Sequence, residues 1–244
     1  MSLNIILLFL FAGLPYYIFF EKTKVLKSDK IFLISAFLFL GGIILSSFYP
    51  QERSDSLIVI SLITSAFSVY KATKTSNFYK VSYYMLFINA PVFMMFALKQ
   101  SIPYSISLLI TLFGIYYIGK YYERNYKSAN YYSISGVTIA TPYAGIALTI
   151  YIITLALYPP FPNAILFISN ILASEIDLLW YITVVVIFFG NFFIAMRIMT
   201  RTLFGKPNAT IHYVDLASKD KVIHSLIIIT LFVFSFWGFK EVLP

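Results

Sequence analysis

Cysteine is absent from the 244 residues of this chain, and charged residues are scarce. Without cysteine the protein forms no disulfide, thiolate metal site, iron–sulfur cluster or cysteine nucleophile. Asp, Glu, Lys and Arg together make up 11% of the sequence, whereas soluble globular chains carry roughly 25%. Because 60% of the residues are hydrophobic, more than a soluble core of this size needs, the composition predicts a polytopic membrane protein.

Histidine occurs only twice, as His212 and His224. Both lie in or beside the last polar loop, whereas a haem held by two histidines needs them on facing helices at similar depth. The apolar stretches contain no paired carboxylates, and no glycine-rich phosphate loop or aspartate-rich diphosphate motif is present. The sequence therefore predicts no catalytic residue, no metal site and no cofactor.

The long apolar stretches predict an all-α membrane helix bundle of about eight transmembrane helices, in a single transmembrane domain over 1–244. About 20 apolar residues cross a bilayer. One stretch is too long for a straight helix, and its proline cluster at 158–163, with Pro159, Pro160 and Pro162, predicts a discontinuous helix. The candidate spans are 3–20, 31–50, 56–72, 81–99, 102–119, 134–173 (the discontinuous one), 177–198 and 222–242.

Basic residues are distributed unequally between the predicted loops. All but three of the 18 Lys and Arg residues lie on one side of the predicted bundle, and the exceptions are Arg53, Lys99 and Lys240. The positive-inside rule places the lysine-rich loops inside, so both termini are expected on the outer side. The formal charge of +8 is then explained by loops that face anionic lipid headgroups, and nucleic acid is not expected as a partner.

Ionisable side chains within a bilayer mark functional sites by default, and this sequence offers few of them. Glu175 and Asp177 flank a helix start on the predicted outer side, where they either cap the helix or form a proton entry or exit. Arg197 and Arg201, one turn apart at a helix end, contact headgroups or a neighbouring subunit. His224 begins the last span and is a candidate proton relay, since histidine titrates near neutral pH.

Uncharged polar residues within the spans form a second group of candidates. Ser169 and Asn170 follow the proline cluster and could hold water or satisfy backbone groups freed by the break. Asn89 precedes Pro91, whose ring frees a backbone carbonyl, and Asn191 lies within a later span. Helix packing is the simpler alternative for all of these residues.

Four short sequences occur in a particular order in the second half of the chain. One helix ends in GKYYER at 119–124, and an apolar half-helix ends in LALYPPFPN at 155–163. The next helix closes with RTLFG at 201–205, and DLASKDK at 215–221 leads into the last span. In this order and spacing, residues 110–244 resemble the C-terminal part of the antiporter-like subunits of respiratory complex I, membrane-bound hydrogenases and Mrp-type antiporters.

The resemblance implies an integral-membrane subunit of a complex I-type redox complex, with other membrane subunits and lipids as its partners. It divides the chain into opening helices, which resemble the family more loosely and cover 1–100, and an antiporter-like C-terminal part at 101–244. Full-length members have more spans, also with both termini outside, so the chain resembles a shortened member or one part of a split one. The expected location is a prokaryotic plasma membrane or the mitochondrial inner membrane.

The sequence departs from the family pattern where the family carries charge. Members place a lysine or glutamate just after the break in the discontinuous helix, but 164–169 reads AILFIS. The lysine- and histidine-bearing central helices have no counterpart, and 102–119 lacks the glutamate expected there. Coupled pumping needs titratable groups, so the sequence predicts a structural subunit that does not itself pump and is not an enzyme on its own.

Two other functions stay open at the level of sequence. One is a proton- or ion-conducting subunit that uses Glu175, Asp177 and a hydrated break. The other is a small membrane transporter or enzyme unrelated to the family.

Overall fold

A computed structural model describes residues 2–49, 53–95, 98–174, 177–208 and 210–242. Within these ranges the chain is all-helical, with 78% of residues in helices and no strand. The helices are α1 (Ser2–Leu10), α2 (Tyr17–Thr23), α3 (Ser28–Phe48), α4 (Asp55–Lys74), α5 (Phe78–Ile88), α6 (Ala90–Met95), α7 (Leu98–Tyr126), α8 (Val137–Ala140), α9 (Pro142–Leu155), α10 (Pro162–Leu172), α11 (Leu178–Thr202) and α12 (Ser218–Val242).

Five helices, α3, α4, α7, α11 and α12, are long and apolar enough to cross a membrane. The prediction of an all-helical chain with membrane-spanning helices is confirmed at this level. The count of about eight spans stays a prediction, because three of the predicted spans are divided between shorter helices. The stretch 3–20 is divided between α1 and α2, 81–99 between α5, α6 and the start of α7, and 134–173 between α8, α9 and α10.

The break between α1 and α2 is held by side chains of α4. The Thr64 hydroxyl donates to the carbonyl of Gly13 at 2.7 Å, and the hydroxyls of Tyr17 and Ser68 lie 3.0 Å apart. An interrupted helix leaves carbonyl groups without intrahelical partners, and in an apolar surrounding these groups need another donor. Thr64 supplies that donor, so the break is a packed part of the bundle.

At the break between α5 and α6, a side chain of α4 again donates to a backbone carbonyl. Proline cannot donate a backbone hydrogen bond, and Pro91 follows Asn89 in this break. The hydroxyl of Ser65 on α4 donates to the carbonyl of Ile88 at 2.6 Å. The buried face of α4 is therefore small and polar, and it allows close approach of the two interrupted segments.

The discontinuous pair α9 and α10 packs along α7 in the opposite direction. The Tyr104 and Phe167 rings lie 5.8 Å apart, and further along α7 the Ser107 hydroxyl donates to Asn163. Later still, Gly114 lies against the ring of Tyr151. Later residues of α7 thus contact earlier residues of α10 and α9, so the pair runs antiparallel to α7. α7 is the most buried of the five long helices, with 67% of its apolar window inside the bundle.

The loops that carry most of the lysines meet at one end of the bundle, which we call the lysine-rich end. Glu21 at the end of α2 lies 4.0 Å from Lys71 of α4 and 4.0 Å from Lys80 at the start of α5. Arg124 near the end of α7 pairs with Asp220 at the start of α12. Five helix ends are therefore joined by ionic contacts at this end.

A second set of contacts at this end joins the loop before α12 to the start of α9. Asp215 accepts hydrogen bonds of 3.1 Å from the backbone N–H groups of Tyr143 and Ala144. A carboxylate at a helix N-terminus satisfies free N–H groups and interacts with the positive end of the helix dipole. Gly136, with φ of +67°, is approached so closely by the backbone of 205–207 that a side chain would not fit.

Candidate functional site

The predicted break at 158–163 lies between α9 and α10, which are separate helices in the structure. α9 ends at Leu155, α10 begins at Pro162, and the Pro159–Pro160 peptide is cis. Directly after the break, the side chains of 164–167 are buried and all apolar. The position where a charge would face the interior is therefore filled by hydrocarbon.

Two neutral side chains, one from α10 and one from α7, are hydrogen-bonded at the start of α10. Asn163 is fully buried, and its Oδ1 accepts a hydrogen bond of 2.5 Å from the hydroxyl of Ser107. Its amide nitrogen has no hydrogen-bond partner in the described part of the chain. The break thus carries a hydroxyl–amide pair, which does not change charge with pH.

Of the predicted pair Ser169 and Asn170, only Asn170 is buried in the bundle. Asn170 is 2% exposed, and its amide nitrogen is without a partner among the described residues. Ser169 is half-buried, and its carbonyl accepts from the N–H of Ala173 at 3.1 Å. The two residues adjoin the same helix end, but the structure gives them no common side-chain contact.

Asn89 and Asn191, which the sequence places in different spans, are joined in the interior. Each amide donates to the other carbonyl oxygen, at 3.0 and 2.9 Å, and both residues are fully buried. The hydroxyl of Tyr104 donates to the Oδ1 of Asn89 at 2.6 Å. This network links the α5–α6 break, α7 and α11 through neutral groups.

His224 lies inside the bundle close to the lysine-rich end. It is 3% exposed, and its Nδ1 lies 2.8 Å from the hydroxyl of Tyr151. The Tyr117 ring is 6.5 Å away, centroid to centroid. Of the candidates from sequence, His224 alone is a buried titratable group in the described residues, and its hydrogen-bond partner is a phenol rather than a carboxylate.

Asp177 caps a helix and forms an ion pair. Its Oδ1 accepts from the N–H of Trp180 at 2.6 Å at the start of α11, and its other oxygen pairs with Arg53. The backbone N–H of Trp180, and then the guanidinium of Arg53, hold the pKa of Asp177 below its ordinary value. The capping alternative is thus what the geometry supports, while Glu175 lies outside the described residues.

Arg197 and Arg201 both contact Tyr132. The guanidinium of Arg197 donates to the carbonyls of Ala72 and Thr73 and, at 2.8 Å, to the Tyr132 hydroxyl. The guanidinium carbon of Arg201 lies 5.4 Å from the centroid of the same ring. Arg197 therefore joins the ends of α4 and α11 within this chain, which is neither of the roles expected from sequence.

A cavity lined by charged groups, which the sequence did not predict, lies at the lysine-rich end. It measures about 540 Å3 and is lined by Glu21, Lys24, Lys27, Lys80 and Lys127, among others. Glu21 stands at the end of the first apolar stretch, and the sequence does not indicate which helices it meets. The local signal is that Glu21 is one of two acids in the lysine-rich stretch 21–30.

The described residues contain no group of three or more histidine and carboxylate side chains that could hold a metal ion. No protein-family model matches the chain, and no curated protein matches it.

Proposed function

We propose that this chain is an antiporter-like membrane subunit of a complex I-type, proton-translocating redox complex, and that it serves assembly and packing without pumping. The order of short sequences in 110–244 supports the family. One observation carries the non-pumping role. The residues that follow the helix break, 164–167, are buried and apolar.

The neutral polar interior supports the same role. Proton translocation through hydrocarbon uses titratable side chains such as Asp, Glu, His and Lys. Beside the α9–α10 and α5–α6 breaks, buried hydrogen bonds join Asn163 to Ser107 and Asn89 to Asn191. Amides and hydroxyls of this kind hold helices together, but they do not accept and release a proton near neutral pH.

The proposed topology counts each interrupted segment as one crossing. On this view α1–α2, α5–α6 and α9–α10 join the five long helices to give eight crossings, with both termini on the outer side. The antiparallel contacts of α9–α10 with α7 and the gathering of charged helix ends support this arrangement. The proposed location is a prokaryotic plasma membrane or the mitochondrial inner membrane.

The assembly role is tested by isolating the tagged chain from its native membrane under mild detergent. We expect it on a native gel only within a large assembly that contains other membrane subunits. Deletion of its gene is expected to remove that assembly or reduce its mass by more than this chain. A stable, monodisperse monomer that carries out a complete activity would contradict the proposal.

The absence of pumping is tested separately with the purified chain in vesicles that contain a pH-sensitive dye. We expect proton flux equal to that of empty vesicles under an imposed membrane potential. Flux above that baseline, lost in a His224→Gln variant, would favour the ion-conducting alternative instead, because His224 is the buried titratable candidate.

A further inference from the structure

The cavity at the lysine-rich end brings together parts of the chain that are distant in sequence. Its wall includes the segment between α2 and α3, the starts of α3 and α5, and the end of α7. At about 540 Å3 it lies within the range of small-molecule sites, about 300–1,000 Å3. Neither the sequence resemblance nor the proposed assembly role assigns a function to it.

Three acidic side chains line this cavity; Asp29 lies in the first turn of α3, and tyrosines hold the other two, Glu21 and Glu123, in place. Glu21 accepts hydrogen bonds through one oxygen from the hydroxyls of Tyr83, at 2.6 Å, and Tyr84. Glu123 accepts one of 2.7 Å from Tyr79. The charge of Glu21 is also offset by Lys71 and Lys80, each 4.0 Å away. Among the described residues, the other oxygen of Glu123 accepts no hydrogen bond.

Three lysines of the cavity have no neighbouring carboxylate to balance their charge. Lys24, Lys27 and Lys127 line it, and among the described residues none of them has a carboxylate within 4.0 Å. α3 also begins here, with the carboxylate of Asp29 already in its first turn, so the attraction for an anion comes from the lysines. Ammonium groups around one concave surface attract an anion.

Two of these lysines occupy backbone conformations that disfavour a side chain. Lys24 has φ of 53° and Lys127 has φ of 60°, in the left-handed region where glycine or asparagine is usual. Each follows the end of a helix, where glycine would be the favoured residue. Glycine is therefore the replacement that removes either ammonium group without disturbing the backbone.

We propose that this cavity binds a phosphate ester that also carries a hydroxyl or ammonium group. The phosphate would lie among Lys24, Lys27 and Lys127, since ammonium groups bind phosphate as point charges. The hydroxyl or ammonium group would donate to the carboxylates that the tyrosines hold in place. Both a phospholipid headgroup and a small soluble phosphate ester have this chemistry.

The test uses the full chain in detergent with three soluble probes, inorganic phosphate, phosphoethanolamine and ethanolamine. We expect saturable binding, seen as a rise in melting temperature, that is tightest for phosphoethanolamine. The lipid arm exposes the protein to vesicles of phosphatidylcholine mixed with phosphatidylethanolamine and identifies retained lipid by native mass spectrometry. Binding in the lipid arm alone identifies a headgroup, and binding of the soluble ester alone identifies a soluble ligand.

The variant Lys24→Gly/Lys127→Gly removes two ammonium groups while giving each backbone position its preferred residue. We expect it to fold and to bind at least about tenfold more weakly, because each charge-assisted hydrogen bond contributes roughly that factor. Ala12→Gly is the matched backbone control, since Ala12 has φ of 59° and lies outside the cavity. Lys206→Gln/Lys219→Gln is the matched charge control.

The two controls are expected to bind as the unaltered chain does. The proposal is overturned if no probe and no lipid binds saturably, or if the glycine variant binds as tightly as both controls. It is overturned equally if ethanolamine alone binds as well as phosphoethanolamine, since the phosphate would then contribute nothing. None of these outcomes bears on assembly, so the result is independent of the proposed function.

Discussion

Tyr151 on α9 and His224 on α12 are joined across the bundle by a hydrogen bond of 2.8 Å between the phenol oxygen and Nδ1. Tyr151 is fully buried and His224 is 3% exposed. Tyr151→Phe removes the hydroxyl and leaves the ring nitrogen without its partner. We expect a loss of about 1–3 kcal/mol in the free energy of unfolding, the usual cost of an unsatisfied buried group.

Chemical unfolding in detergent measures this change, with Tyr158→Phe as the control. Tyr158 is 61% exposed, so its substitution is expected to leave stability nearly unchanged. Equal effects of the two substitutions would mean that the Tyr151 hydroxyl contributes no net stability.

Gly114 is expected to tolerate no larger residue. A Cβ added there would lie 2.6 Å from the ring of Tyr151, so either that buried ring or the two helices must shift. Gly114→Ala should therefore cost about 1–3 kcal/mol in stability, as overpacking usually does.

Gly41→Ala is the matched control, because nothing lies within 4 Å of its added Cβ. In the interior of a helix this change should be neutral or stabilise by up to about 1 kcal/mol. Thermal unfolding of both variants in the same detergent decides the matter, and a stabilised Gly114→Ala protein would refute the close approach of α7 and α9.

Asn89 and Asn191 are expected to act as a unit. Asn89→Leu leaves the Asn191 amide and the Tyr104 hydroxyl buried without this partner, at a cost of about 1–3 kcal/mol. Asn191→Leu should cost less, because Asn89 still donates to the Met85 carbonyl and accepts from Tyr104. The double replacement removes both amides, so its cost should be smaller than the sum of the two single costs. A double-mutant cycle by chemical unfolding measures the difference, and simple additivity would argue against the pairing.

The Asp177–Arg53 pair is partly exposed, with 44% and 30% of the two side chains accessible, so its effect should be small. Asparagine is as good a helix cap as aspartate, so Asp177→Asn isolates the ion pair. We expect a slight decrease in melting temperature at low salt that disappears at high salt. Arg53→Gln should behave alike, and a decrease that persists at high salt would contradict an ionic cause.

The same pair sets a pH dependence. The folded-state pKa of Asp177 is lowered, so its contribution to stability is complete above the unfolded-state value, about 3.9. The contribution is lost as the pH falls through the lowered folded-state pKa. Melting temperatures of the unaltered chain and Asp177→Asn should therefore converge in acid, and a gap that grows in acid would reverse the sign.

Composition and apolar length were sufficient to predict an all-helical chain with membrane-spanning helices, because both depend on local hydrophobicity. The proline cluster likewise predicted the separation of α9 from α10. The other two breaks were not predicted, although Gly13, Pro15 and Pro91 were available as signals. Averaged hydrophobicity does not register them, because the interrupted segments stay apolar throughout.

The candidate site was less accessible from sequence, because its contacts are tertiary. The pairing of Asn89 with Asn191 spans more than a hundred residues, and nothing local to either one predicts it. The position of Glu21 among Tyr83, Tyr84 and two lysines likewise depends on how α2 meets α4 and α5. Charge inventory identified Asp177 and His224, but it did not give their partners.

The support that α4 gives to two interrupted segments makes both of them depend on one helix. Thr64 supplies the donor for the carbonyl of Gly13, and Ser65 supplies the donor for the carbonyl of Ile88. A buried carbonyl that loses its donor in an apolar surrounding destabilises the fold. Any change that displaces α4 would therefore free both carbonyls at once and weaken two separate breaks together.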